Sequence, residues 1–125
     1  MIAVRLEHFG IYAKDPQVLA SWYVDVLGFR VVRTLEKAGR PPIFFLEADE
    51  GGEIEILPTK ESRVERTLSQ GGFSHIGLIV ADFQAIQTEL RGKGIELEGV
   101  RDTSNGWKIG YFADPEGNTI ELVRR

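Results

Sequence analysis

Hydrophobic and polar residues alternate in two stretches of this chain, 4–13 and 73–80. In the first stretch, Phe9 and Ile11 lie on one face, and the other face carries Leu6, His8, Gly10 and Tyr12. This period of two is typical of a strand that is covered on one side. Residues 53–57 and 119–123 alternate in the same way. Each of the four segments therefore places one ionisable side chain on the face opposite its apolar neighbours; these side chains are His8, Glu55, His75 and Glu121.

A helix pattern follows each of the two stretches 4–13 and 73–80. Asp15 and Pro16 supply an N-cap and a first-turn proline, and Gly28 is suited to end the helix. The apolar stripe between them consists of Val18, Leu19, Trp22, Tyr23, Val26 and Leu27. Asp82 is expected to cap a second helix, which has a stripe of Phe83, Ile86 and Leu90 and ends at Gly92 and Gly94.

The remaining segments complete a βαβββ order that occurs twice. Further strands are predicted at 29–35, 43–48, 95–100 and 107–112, with a loop at 36–42 and turns at 49–52 and 114–118. Module 1 spans about 1–58 and module 2 about 73–125. The polar segment of about 59–72 is predicted to be a linker, with a helical turn or two around Val64 and Leu68 as an alternative.

The two modules align position by position. His8 and His75 are 67 residues apart, and Glu55 and Glu121 are 66 apart. Two copies of one module, each with a histidine on its first strand and a glutamate on its last, are a specific signal of duplication. Because the apolar neighbours are expected to lie under the helices, the four polar side chains are predicted on the uncovered faces of the sheets.

Two imidazoles and two carboxylates form a donor set for one divalent cation if the first and last strands of the modules lie adjacent. Such a set suits nickel, zinc, cobalt, manganese or iron, and it leaves coordination positions for water or substrate. Singly, each of these residues is more simply explained as part of a solvated sheet face. The only two histidines of the chain, however, occupy the same repeat position, which favours the metal site.

Composition narrows the classes of partner. At 125 residues the chain is long enough for one domain with a core, and its formal net charge of −4 argues against nucleic acid or an anionic membrane as the main partner. With no cysteine, thiolate nucleophiles, disulfides and zinc–sulfur sites are excluded. No long apolar run is found at the N-terminus or elsewhere. A soluble, cytoplasmic protein that binds a small molecule is expected.

Four segments resemble the vicinal oxygen chelate superfamily, also called the glyoxalase/bleomycin-resistance/dioxygenase family: LEHFGI at 6–11, WYVDVLGF at 22–29, SHIGL at 74–78 and DPEGNTIEL at 114–122. The resemblance covers essentially the whole chain. It implies an α+β fold in which two tandem βαβββ modules form a cup-shaped mixed sheet around a metal, with the helices on the outer face. Many members are homodimers, and some complete each site with modules from two chains.

The ligand set His8, Glu55, His75 and Glu121 looks like that of glyoxalase I, which isomerises the glutathione hemithioacetal of methylglyoxal to a thioester. The resemblance implies that the metal polarises two substrate oxygens and stabilises an enediolate, while a carboxylate moves a proton between adjacent carbons. Glu121 is the favoured base and Glu55 the alternative.

Two positions depart from bacterial glyoxalase I. That enzyme has an arginine four residues after the first histidine, where this chain has Tyr12, and an asparagine four residues after the first glutamate, where it has Thr59. Neither replacement binds a carboxylate as a guanidinium does, so another small metabolite with two oxygens, or an acyl thioester, is the expected substrate. Tyr12, Trp107 and Arg40 are the candidate substrate-binding residues, although Trp107 is equally explained by packing.

Two further functions are compatible with the resemblance. A ring-cleaving dioxygenase or a thiol transferase of the superfamily needs two histidines and one carboxylate, and Glu55 would then be a bystander. A metal-free protein like the bleomycin-resistance members would sequester a small molecule between subunits. The complete set of four ligands favours the enzyme over the sequestering protein.

Overall fold

The structure, a computed structural model, describes residues 2–67 and 69–125. The chain divides into two compact units, Met1–Val64 and Glu65–Arg125, and each has the predicted βαβββ order. The first unit contains β1 (His8–Ala13), α1 (Pro16–Leu27), β2 (Arg30–Lys37), β3 (Arg40–Glu47) and β4 (Glu53–Pro58). The second contains β5 (Ile76–Ile79), α2 (Phe83–Gly92), β6 (Glu98–Asp102), β7 (Lys108–Ala113) and β8 (Thr119–Arg124).

Each unit holds one four-stranded mixed sheet, and the two sheets have the same topology. The strand orders are β1-β4-β3-β2 and β5-β8-β7-β6. The first and last strands of each unit pair in parallel, and the other neighbours pair antiparallel. This confirms the predicted α+β class and the internal repeat.

Helix α1 begins and ends as the sequence predicts. The carboxylate of Asp15 accepts a hydrogen bond from the backbone N–H of Val18 at 3.1 Å, and Gly28 ends the helix with a φ of 73°. The helix packs on β3 and β4, where it buries Leu19, Tyr23, Leu46, Ile54 and Ile56. Val18, the first residue of the predicted apolar stripe, is 53% exposed and so lies outside the covered face of the helix.

Helix α2 covers the equivalent face of the second sheet. Asp82 caps it by accepting from the backbone N–H of Ala85 at 3.0 Å. Phe83 and Leu90 of the helix are buried, as are Ile120 and Leu122 of β8. Glu121, between these two strand residues, therefore lies on the face away from the helix.

The turn between β7 and β8 is built around Asp114. Its carboxylate is buried and accepts hydrogen bonds from the backbone N–H of Glu116 and of Asn118, both at 2.9 Å, and from the side-chain amide of Asn118. Gly117 takes the positive φ of 86° that the turn requires. The turn thereby sets where β8, the strand that carries Glu121, begins.

Several predicted boundaries are wrong. The segment 36–42 is a hairpin rather than a loop: Lys37 pairs with Arg40, and Gly39 closes the turn with a φ of 82°. Strands β1 and β5 begin at His8 and Ile76, later than predicted. The pairing of β1 with β4 starts at Glu53, the first residue of β4, and the pairing of β5 with β8 starts at Ile120.

The segment 59–72 contains no helix or strand among its described residues, and Val64 is exposed. Leu68, named with Val64 in the alternative of a helical turn, lies outside the described residues. In the described part of the chain no helix has the length and apolarity needed to cross a membrane.

Candidate metal centre

In the first unit, His8 and Glu55 lie side by side on the sheet face away from α1. Glu55 pairs in register with Gly10, two residues after His8, so both side chains project from the same face. His8 Nε2 is 3.6 Å from Glu55 Oε1. This separation is too long for a hydrogen bond. It suits two ligands of one cation, since zinc-type ions bind nitrogen and oxygen ligands at about 2.0–2.2 Å.

The second unit repeats this arrangement. His75 immediately precedes β5, and Glu121 pairs in register with Gly77, two residues after the histidine. His75 Nε2 is 3.9 Å from Glu121 Oε1. A Cβ atom placed on Gly77 would meet nothing within 4 Å, so the face beside this pair is open. Both histidines are exposed and both glutamates are half-buried, so a ligand can reach each pair.

The Nδ1 atom of each histidine contacts the side chain of the preceding residue. His8 Nδ1 contacts the Glu7 carboxylate, and His75 Nδ1 lies 2.9 Å from Ser74 Oγ. Histidines that bind metals through Nε2 usually have Nδ1 held in this way, which fixes the ring. The Glu7 hydrogen bond raises the pKa of His8, and the charges of Glu7, Glu55 and Glu53 add to the effect, whereas partial burial lowers it. The donor set and the outer partners therefore fit a divalent cation.

An aromatic residue of the neighbouring strand flanks each pair. Phe45 pairs in register with Glu55, and its ring centre is 6.0 Å from that of His8. Tyr111 pairs with Glu121, and its ring centre is 6.0 Å from that of His75. The Tyr111 hydroxyl donates to Glu121 Oε2 at 2.5 Å, whereas Phe45 has no hydroxyl to offer Glu55. The Tyr111 hydroxyl thus holds the Glu121 carboxylate by a hydrogen bond, and Phe45 gives Glu55 no equivalent bond.

Neither aromatic residue was predicted from the sequence, although a signal was present. Each precedes its glutamate by ten residues, on the strand that an antiparallel turn joins to the glutamate strand. The turn at 114–118 was predicted, but the register that places Tyr111 beside Glu121 depends on how many residues the turn uses.

The bond to Glu121 predicts how Tyr111 titrates in metal-free protein. The hydrogen bond, together with burial and the charge of Glu121, raises the pKa of Tyr111 above its usual value near 10. Because the folded state favours the protonated phenol, this contribution to stability is complete below pH ~10 and is lost as the pH rises through the folded pKa. We expect Glu121→Gln to move the titration of one tyrosine to lower pH in an ultraviolet absorbance titration.

Tyr111→Phe identifies the tyrosine concerned, because the high-pH transition should disappear from its spectrum. An unchanged tyrosine titration in Glu121→Gln would contradict the importance of this hydrogen bond.

The predicted substrate-binding residues lie at different places. Tyr12 is exposed on β1, on the same face as His8 and four residues from it. Trp107 is half-buried immediately before β7, and the Arg125 guanidinium lies 4.3 Å from its ring centre. Arg40 lies in the β2–β3 hairpin beside a cleft of about 370 Å³. It is five residues along β3 from Phe45, about 16 Å at the rise of a strand. Of the three, only Tyr12 lies on the strand and face of a His–Glu pair.

The structure therefore presents the four predicted ligands as two pairs, one in each unit. Within residues 2–67 and 69–125, no group of three or more histidine, aspartate or glutamate side chains is arranged to hold a metal ion. That one cation binds to both pairs stays a prediction.

Comparison with known proteins bears on the whole chain. Residues 5–122 match the family model described as Glyoxalase/Bleomycin resistance protein/Dioxygenase superfamily. Biphenyl-2,3-diol 1,2-dioxygenase 3 of Rhodococcus globerulus is 30% identical over 131 residues, covering 97% of this chain and 63% of that enzyme. Lactoylglutathione lyase of Pseudomonas aeruginosa is 26% identical over 143 residues, covering 94% and 80%. The crystal structure of a glyoxalase family protein from Enterococcus faecalis has a TM-score of 0.80, with 26% identity and coverage of 94% and 95%.

Proposed function

Because the chain belongs to the glyoxalase/bleomycin resistance protein/dioxygenase superfamily, as the sequence predicted, we propose that it is a divalent-metal-dependent enzyme of the glyoxalase type. The observation that supports this function is the repeated His–Glu pair. In each unit an imidazole Nε2 faces a carboxylate oxygen at 3.6 or 3.9 Å on the open sheet face. A solvated sheet face would not need the same pair at the same register in both halves of a duplicated chain.

We propose that His8, Glu55, His75 and Glu121 together bind one cation, which is nickel, zinc, cobalt, manganese or iron. The two pairs come either from one chain or from two chains of a homodimer. When bound, the cation supplies polarisation of two adjacent oxygen atoms of the substrate. The mixture of imidazole and carboxylate donors suits ions of intermediate hardness.

The chain's own residues supply the proton transfer. Glu121 is the proposed base, which takes a proton from the hydroxyl-bearing carbon beside the substrate carbonyl and returns it to the carbonyl carbon. The hydroxyl proton of the first carbon moves to the oxygen of the second, so the two carbons exchange their oxidation levels. The Tyr111 hydroxyl donates to Oε2 of this carboxylate. Oε1, which faces His75, would therefore be the ligand oxygen before the substrate binds and the proton acceptor once the carboxylate has left the cation. Glu55, which faces Phe45 rather than a hydroxyl, is the alternative base. The product is an isomer of a small oxygenated metabolite or thioester.

An activity screen of metal-loaded protein tests this function. The substrates are the glutathione–methylglyoxal hemithioacetal, acyl thioesters and catechols, each with every candidate metal in turn. We expect metal-dependent isomerisation or exchange of the substrate C–H proton with solvent. Glu121→Gln should slow the reaction by about 10²–10⁴-fold, the usual contribution of a general base. Normal turnover in this variant, together with its loss in Glu55→Gln, would reassign the base to Glu55.

The second candidate is a dioxygenase, which the 30% identity to the Rhodococcus enzyme favours. Cleavage of a catechol ring by iron-loaded protein, unaffected by Glu55→Gln, would support it over the isomerase. A metal-free protein that binds a small molecule is the third candidate. If protein purified without metal binds a small molecule as tightly as metal-loaded protein does, the result favours this third candidate.

The cellular setting is part of the proposal. We propose a small-molecule substrate, a homodimer and a cytoplasmic location. The absence of cysteine agrees with a reducing compartment. Size-exclusion chromatography with light scattering would report the subunit number directly.

A further inference from the structure

A row of residues that pair in register crosses the open face of the first sheet. The row ends at Arg33, which has no role in the proposed function. The register aligns Gly10 of β1 with Glu55 of β4, Glu55 with Phe45 of β3, and Phe45 with Arg33 of β2. Directly paired residues project from the same face, so Arg33 shares this face with the His8–Glu55 pair.

A register irregularity in β2 places Arg33 there. Val31 pairs with Leu46, a buried residue under α1, and the next pair is Arg33 with Phe45. Val32 is thus the extra residue of a bulge, and regular pairing would have set Val32 opposite Phe45 instead. Bulges are often found beside functional sites, where they turn a side chain towards another face.

Arg33 is held by stacking and has no acidic partner. Its Cζ lies 4.9 Å from the centre of the Phe45 ring, which orients the guanidinium by a cation–π contact. In the described part of the chain the Arg33 guanidinium makes no hydrogen bond or ion pair. Arg30 on the same strand differs, because it binds Asp49 at 3.0 Å and Glu47 at 3.5 Å. Arg33 therefore keeps its N–H donors available for a ligand.

We propose that Arg33 binds a carboxylate of the substrate, an inference that rests on the proposed function of the His8–Glu55 pair. Arg33 Cζ is 4.9 Å from the Phe45 ring centre, which is 6.0 Å from that of His8, so the guanidinium and the imidazole are at most about 11 Å apart. A small molecule spans this distance. One guanidinium matches the single charge and planar shape of a carboxylate. The substrate class is a metabolite with two adjacent oxygens at one end and a carboxylate at the other.

None of the described acidic residues on this face forms an ion pair with the Arg33 guanidinium. Glu47 and Glu53 pair with each other in register on the same side of the sheet. Arg30 neutralises Glu47 by an ion pair, and Glu55 is the residue that the cation would bind. Arg33 thus offers a distant carboxylate a positive charge without an ion-pair partner among the described residues.

Binding of paired probes to zinc-loaded protein tests the assignment. The probes are the monohydroxamates of succinic, glutaric and adipic acid, whose hydroxamate supplies two adjacent oxygens, and the methyl ester of each. We expect at least one acid to bind about tenfold or more tightly than its ester by calorimetry, as a charge-assisted hydrogen bond would give. Arg33→Met should remove this preference. Lys37→Met, which removes the same charge from the same strand, should keep it.

Two outcomes overturn the proposal without touching the metal centre. One is metal-dependent binding of acids and esters with equal affinity in the unchanged protein; the other is a preference that survives Arg33→Met. If no probe binds the metal-loaded protein, the proposed metal function fails. Binding to the metal-free protein then tests whether Arg33 binds a carboxylate. There, adipic acid monohydroxamate should shift the nuclear magnetic resonance signal of the Arg33 side-chain N–H in a saturable way, and no shift would overturn the assignment.

Discussion

Replacing His75 with alanine is expected to lower the affinity of the protein for its divalent cation by on the order of a hundredfold or more. Loss of an outer partner of a metal ligand typically costs 10–100-fold, so loss of a ligand should cost at least as much. The measurement is metal content after purification without added metal, followed by calorimetric titration with nickel and zinc.

Ser74→Ala is the matched control for this experiment. It leaves the His75 ring in place and removes the hydroxyl that lies 2.9 Å from Nδ1, so a loss of only about tenfold is expected. A His75→Ala protein that retains a full complement of metal would contradict both the isomerase and the dioxygenase.

Asp114→Ala should lower the free energy of unfolding by about 3 kcal/mol. Only 5% of Asp114 is exposed, and its loss leaves three buried or half-buried donors of the β7–β8 turn without their acceptor. Urea denaturation followed by far-ultraviolet circular dichroism measures the change. Since the turn positions the start of β8, the affinity for metal at Glu121 should fall as well.

Asp114→Asn separates the hydrogen bonds from the charge. Its carbonyl oxygen still accepts from the turn, so about 1 kcal/mol is the expected loss. An alanine variant as stable as the asparagine variant would show that the buried acceptor does not hold this turn.

The sequence predicted the helices well because their signals are local. Asp15, Gly28 and Asp82 act at the helix ends through their own side chains or backbone conformations, and these depend on few neighbours. The duplication was predictable for another reason, since two copies of one pattern reinforce each other even where each is weak alone. The pairing of each histidine with a glutamate on one face followed from alternation.

What the sequence could not show depends on register. The bulge at Val32 moves Arg33 to the open face, although simple alternation along 29–35 gives no sign of it. The hairpin at 36–42 was missed because its prolines suggested a loop. In the structure they lie in the part of β3 that precedes its pairing with β4, where a missing N–H costs no bond to that strand. The apolar stripe of α1 is wider than the face that the sheet covers, so Val18 of the stripe is exposed.

The central claim is that two His–Glu pairs share one cation, and the number of ions bound per chain tests it most directly. Calorimetric titration of metal-free protein with zinc or nickel should give one ion per chain at high affinity, whether the pairs come from one chain or from two. His8→Ala and His75→Ala should each weaken that same binding event by on the order of a hundredfold or more. Two ions per chain, or high-affinity binding that survives in either variant, would contradict the claim.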